Sequence, residues 1–91
     1  MKFMVSWTID PAQYKEAAQR FLKAGAPPPA GVKMLGRWHM ATQGWLIAET
    51  DNPAAIFEWT AVWQDLIRFT TVTPVVEDDT IGPVLGKVFG K

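Results

Sequence analysis

Gly31-Val32-Lys33-Met34-Leu35-Gly36-Arg37-Trp38-His39-Met40 is the stretch around which the chain is organised. It reads as a strand over 32–40, and it carries the chain's only histidine with an arginine two residues earlier. Successive side chains of a strand point to opposite faces, so Arg37 and His39 share one face and Trp38 takes the other. Ala41-Thr42-Gln43-Gly44 reads as a hairpin turn, and Trp45 to Thr50 as the returning strand. A turn of even length centred on Thr42-Gln43 sets Arg37 beside Ala48 and Gly36 beside Glu49. Arg37 and Glu49 then lie on opposite faces. A slip of one residue would make them direct partners and tie up the arginine. The even turn is the commoner one, which leaves Arg37 free.

On the N-terminal side, Ala26-Pro27-Pro28-Pro29-Ala30-Gly31 is an extended connector, because consecutive prolines fix φ and carry no donors. Before it, Tyr14, Ala17, Ala18, Phe21 and Leu22 recur at helical spacing. Asp10 caps that helix, Pro11 suits its first position, Gln13 sits where a capping-box partner belongs, and Gly25 ends it. Residues 2–9 alternate, with Phe3, Val5, Trp7 and Ile9 on one side and Met4, Ser6 and Thr8 on the other, which predicts a strand. Beyond the hairpin, Asn52-Pro53 repeats the capping logic. Ile56, Trp59, Trp63 and Leu66, flanked by Ala55 and Val62, predict a helix ending near Arg68. Phe69 to Val76 is a fourth strand, with Pro74 marking an edge or a ladder end. In the tail, Glu77 to Lys91, the residues Ile81, Val84, Leu85, Val88 and Phe89 fit one helical face behind an acidic start. Gly82, Gly86 and Gly90 weaken that helix and are spaced for close helix contact; a short docked helix is expected.

The order β-α-β-β-α-β predicts one α+β domain over residues 1–91 of ferredoxin-like type. Its four-stranded antiparallel sheet carries two helices on one face. Both sets of strand side chains contain large apolar groups, and two helices cannot cover both faces. A two-fold homodimer with sheets packed face to face removes the exposed surface. Composition excludes several functions. Nine basic and nine acidic residues cancel, leaving no electrostatic footprint for nucleic acid or anionic membrane. No cysteine is present, so disulfides, thiolate catalysis and zinc–thiolate sites fall away. The Lys2-Phe3-Met4-Val5 start is too short for a signal sequence, and no run approaches the ~20 apolar residues of a membrane span. A cytoplasmic protein is expected.

The start Met1 to Ile9, the run Pro28 to His39, Glu49-Thr50-Asp51, Glu58-Trp59 and Thr73-Pro74-Val75-Val76 together resemble a family of small bacterial proteins. That family is catalogued as a domain of unknown function, DUF3303-like, in the dimeric α+β barrel superfamily. The resemblance spans nearly the whole chain. It implies the ferredoxin-like fold and a dimer, and it brings no catalytic residues with it. The superfamily also includes cofactor-free monooxygenases, haem-degrading enzymes and small isomerases, an analogy of fold alone.

Chemistry converges on the hairpin. Histidine titrates near neutral pH and suits general acid–base work. Arg37 on the same face would hold a carboxylate, phosphate or enolate bidentately. Trp7, Trp38 and Trp45 are the candidate walls of a slot for a flat apolar ligand, and Trp59 and Trp63 read as core between helix and sheet. A lone His39 gives no metal-ligand spacing, Glu77-Asp78-Asp79 lacks a calcium-loop pattern, and Ser6 has no nucleophile elbow. The expectation is therefore a small-molecule site with Arg37 and His39 as polar groups and no cofactor or metal. It would bind an apolar, aromatic or anionic molecule, or transform it by cofactor-free oxygenation or proton transfer. The rival is a non-enzymatic dimeric interaction or regulatory module whose tryptophans and His39 serve packing.

Overall fold

Alternation along β1 (Lys2–Thr8) sends Phe3, Val5 and Trp7 to one side, and in the computed structural model all three are buried. The structure describes residues 1–90. After β1 come α1 (Pro11–Ala24), β2 (Lys33–Met40), β3 (Gln43–Glu49), α2 (Pro53–Trp63), β4 (Arg68–Val75) and α3 (Asp78–Phe89). The four strands form one antiparallel sheet in the order β2-β3-β1-β4. The crossovers β1-α1-β2 and β3-α2-β4 each pass over one central strand and place both helices on the Phe3–Val5–Trp7 face, the ferredoxin-like arrangement.

Local chemistry explains the element ends. Asp10 Oδ1 accepts the Ala12 N–H at 2.9 Å, and Asn52 Oδ1 accepts that of Ala54 at 3.1 Å. Each cap is followed by a proline whose missing N–H is not needed there. Gly25 closes α1 at φ 67°, donating to Phe21 O at 2.7 Å. The core joins Phe3, Val5, Trp7, Leu46 and Ala48 of the sheet to Ala55, Ile56 and Trp59 of α2.

Three expectations need correction. First, α2 stops at Trp63, a turn before Arg68. Gln64 and Leu66 donate to the carbonyls of Ala61 and Trp63, tightening the last turn, so Leu66 is buried from the connector and Val62 faces outward. On α1 the stripe is narrower than its sequence pattern, with Ala17 buried and Tyr14 and Leu22 exposed. Second, the hairpin turn is Ala41-Thr42, since Met40 pairs with Gln43. Ala41 takes the left-handed region at φ 53°, which closes a two-residue loop two residues tighter in register than a turn centred on Thr42-Gln43. Arg37 therefore faces Leu46 rather than Ala48, and Glu49 faces Lys33 rather than Gly36. The turn is still of even length, and Arg37 and Glu49 still occupy opposite faces. Third, the tail is helical but not docked: α3 buries none of its side chains, and a Cβ added at Gly82 or Gly86 would meet no other element. No helix among the described residues is long and apolar enough to cross a membrane.

Both edge strands carry an irregularity. On β2 the register shifts between Met34 and Gly36, so Leu35 is an extra residue. On β4 the shift against Ser6/Trp7 makes Thr70 the extra one, and its hydroxyl meets that of Ser6 at 2.8 Å. A bulge reverses which face the following residues occupy. Val32 and Met34 pack on the helix side before the β2 bulge, and Arg37 and His39 return to that side after it. Without Leu35 as the extra residue, alternation from Met34 would send both to the open face. The β4 bulge likewise brings Phe69 opposite Trp7.

The other face of the sheet is uncovered within this chain. Trp38 and Trp45 are direct cross-strand partners there, 57% and 39% exposed, beside Met40 at 72%.

Candidate functional site

Sheet and helices do not close completely over one another. A cavity of about 90 Å³ remains between them, walled by Val5, Trp7 and Leu46 below, Ala17, Ala18 and Phe21 of α1, and Ile56, Trp59 and Trp63 of α2, with Ile67 and Phe69 at one end. A single water needs roughly 10–15 Å³ of such space, so the cavity is several waters wide. It lies well under the ~300–1,000 Å³ of sites for drug-sized ligands. It suits an occupant of about one ring.

Three polar side chains reach this apolar lining: Arg37, His39 and Thr60. Thr60 spends its hydroxyl proton on Phe57 O at 2.9 Å, within its own helix. Arg37 crosses to the connector after α1 and donates from Nη1 to Ala26 O at 2.8 Å. Its guanidinium carbon stands 5.0 Å over the Phe21 ring, a cation–π position. No carboxylate pairs with Arg37 among the described residues: the ion pairs there are Met1 N–Asp51, Lys2–Glu77 and Arg20–Asp65. Burial, unopposed by any nearby acid, lowers the Arg37 pKa from its ordinary value. The guanidinium stays charged, since an arginine remains protonated at any physiological pH. It has five N–H donors and uses one on protein.

His39 lies one strand repeat further, about 6.6 Å along β2. Its ring meets Phe21 edge-on at 5.8 Å and Trp7 at 6.0 Å, and makes no hydrogen bond to a described residue. Phe21 thus serves both groups, offering its face to the cation and packing against the imidazole. Trp7 in turn is held by Phe69 at 6.3 Å and lies flat against the backbone at Gly44, its cross-strand partner.

Arg37, His39 and Trp7 are therefore brought together at one cavity, and the other two expected walls are not. Trp38 and Trp45 stand on the opposite side of the sheet, because β-strand alternation separates Trp38 from its neighbours Arg37 and His39. Trp45 likewise alternates with the buried Gly44 and Leu46. The expectation that Trp7, Trp38 and Trp45 share a face with Met40 is corrected: only the last three share one. Phe21, Trp59, Trp63 and Phe69 take over as walls. The helical spacing of Phe21, Trp59 and Trp63 is visible in the sequence, where Trp59 and Trp63 read as core. The same apolar stripe serves either purpose, and only the gap between the layers tells them apart.

The chain belongs to the family described as Domain of unknown function (DUF3303), whose model matches residues 1–89. Neither a curated protein nor a solved structure matches it.

Proposed function

We propose, for this member of a family whose description leaves its activity open, that the chain binds a small planar anion in the cavity between sheet and helices. Arg37 holds the anionic oxygen. The observation that carries this reading is a partly buried guanidinium charge at an apolar cavity with no carboxylate of the described residues to balance it. Such a charge costs stability in the empty protein, and an incoming carboxylate, phenolate or enolate would relieve that cost. Phe21, Trp7 and Phe69 supply the apolar contacts for a single ring. His39, whose ring makes no hydrogen bond to a described residue, is the group assigned to proton transfer in this reading.

If the chain is an enzyme, the residues suit removal of a proton beside a carbonyl, with His39 taking the proton and Arg37 holding the enolate oxygen. Oxygenation without a cofactor would begin with the same deprotonation and use dioxygen as co-reactant. The uncovered Trp38–Trp45–Met40 face supports a homodimer in which a second copy covers it. Taken alone, that face would favour a regulatory or interaction module; the cavity beside an unpartnered His39 favours a ligand site in addition.

The test compares benzoate with benzyl alcohol, a neutral molecule of similar size, by calorimetric titration. The wild type prefers benzoate. Arg37→Met abolishes the preference and lowers benzoate affinity by about 10- to 150-fold, the ~1.5–3 kcal/mol of a charge-assisted hydrogen bond. Its folding stability changes by no more than about 1 kcal/mol, because losing the bond to Ala26 O and the contact with Phe21 is offset by removing a partly buried, unpaired charge. Equal affinity for the two probes would overturn the anion site. A collapse of stability in Arg37→Met would make the arginine structural. With a substrate in hand, His39→Ala abolishes turnover and leaves folding and dimer intact.

A further inference from the structure

We propose that α3 is an arm exchanged between two copies of the chain: its Ile81–Val84–Leu85–Val88 stripe lies on the open sheet face of the second copy, across Trp38 and Met40, and the second copy's α3 returns the contact. This rests on the homodimer reading and adds to it the element that holds the pair together. Four observations converge on it.

The stripe has the i, i+3, i+4, i+7 spacing of a buried helix face, yet every one of its residues is exposed. Such a helix gains its stability from the surface it packs against. Its own sheet does not receive it, since α3 buries no residue. Only Val76 and Glu77 join β4 to α3, and Glu77 is tied on one side to Lys2 and on the other to the helix through its carbonyl. The molecule is 55 Å long against 27 Å and 18 Å in its other dimensions, and α3 buries no residue, so the helix extends away from the sheet.

The same chain carries the complementary surface. Trp38, Met40, Trp45 and Met4 form an apolar patch on the open face, and no helix covers it. Two unpartnered surfaces of one chain close on each other in a two-fold pair and leave neither exposed.

Area also favours exchange. The open face offers about 19 Å by 24 Å, or ~450 Å², and α3 adds ~180 Å² from its length and width. A stable interface takes roughly 800 Å² of accessible surface per partner, which the sheet alone falls well short of and the two together approach once side-chain relief is counted.

Charge selects the occupant. With nine acids against nine bases, two copies meet without repulsion. An anionic membrane would want lysines along the apolar helix, whereas α3 opens with Asp78 and Asp79 and closes with Lys87.

The test uses full-length chains in sedimentation equilibrium. Leu85→Asp/Val88→Asp alters only exposed positions of α3, and Met40→Glu only an exposed position of the open face, so both fold. The wild type is a dimer. Each variant alone raises the dimer dissociation constant by on the order of 100-fold, since charge replaces a buried apolar group in both halves of the interface. Mixing the two variants restores dimers, because the intact arm of one then meets the intact sheet of the other. A wild-type monomer overturns both the dimer and the exchange. A dimer that survives Leu85→Asp/Val88→Asp, or variants that stay monomeric when mixed, overturns the exchange and leaves the dimer standing.

Discussion

Gly44→Ala tests whether the cavity wall is as the structure draws it. An ideal Cβ at Gly44 would stand 2.2 Å from Cε2 and Cζ2 of Trp7 and 2.5 Å from its Nε1. Carbon atoms in ordinary contact keep about 3.5–4.0 Å, so the indole must retreat by more than an ångström. Trp7 is only 7% exposed, with Phe69 and His39 packed at its edges, and the retreat open to it is into the cavity. Overpacking of this kind costs roughly 1–3 kcal/mol, and replacing a strand glycine by alanine returns about 0.5–1 kcal/mol of backbone entropy. The net expectation is a loss of up to about 2.5 kcal/mol, with the cavity filled by indole. Gly36→Ala is the internal control. There a Cβ would meet Trp38 at 2.5 Å, a nominal clash of similar severity. Trp38 is 57% exposed in the single chain, its contacting atoms are the far end of the ring, and at concentrations where the chain is dissociated it can swing away into solvent. Gly36→Ala should therefore be neutral or stabilise by up to about 0.5 kcal/mol. Urea denaturation gives both values from the midpoint at constant slope, and benzoate titration reports whether the cavity has closed. If Gly44→Ala matched the wild type in stability and still bound benzoate normally, Trp7 would not be seated on Gly44. The wall would have to be redrawn.

Two further predictions concern the frame around the site. Arg20 forks onto Asp65, at 2.9 Å and 2.6 Å, and fixes α1 to the connector after α2. The hydrogen bond from Arg20 is the main reason the Asp65 pKa falls below its ordinary 3.8. A depressed carboxylate contributes stability that is fully present above its unfolded pKa and lost as the pH falls through the folded one. The stability difference between wild type and Asp65→Asn should thus be constant above about pH 5 and shrink as the pH falls below about 4 and through the lower folded-state pKa; a difference unchanged by acidification would show that the ion pair is not its source. Ala41 holds φ 53° in the hairpin turn, a region that costs a non-glycine residue about 1–2 kcal/mol. Ala41→Gly relieves that strain against the larger entropy of an unfolded glycine, for a net gain near 0.5 kcal/mol. A lower melting temperature for Ala41→Gly would place the turn in another conformation.

Periodicity, capping residues and glycine or proline stops were enough to determine the element order, the ferredoxin-like sheet, and the pairing of Arg37 with His39 on one face. These are local properties: a side chain two residues on must return to the same face of a strand, and Asp10-Pro11 or Asn52-Pro53 can start a helix wherever the chain runs. Which face met the helices was not local. Phe3, Val5 and Trp7 or Met4 with Trp38 and Trp45 could each have formed a core. The crossovers β1-α1-β2 and β3-α2-β4 put both helices on the Phe3–Val5–Trp7 face, and the bulges at Leu35 and Thr70, each a single extra residue with no signature in composition or spacing, set which side their neighbours take. They turn Arg37, His39 and Phe69 into the cavity, and β-strand alternation leaves Trp38 and Trp45 on the far side. The cavity itself, and the arginine that no described carboxylate pairs, lie where the two layers stop short of contact, a distance set by the packing of all the elements at once. The apolar stripe of α3 was plain in the sequence, and only the tertiary structure showed that nothing in its own chain receives it.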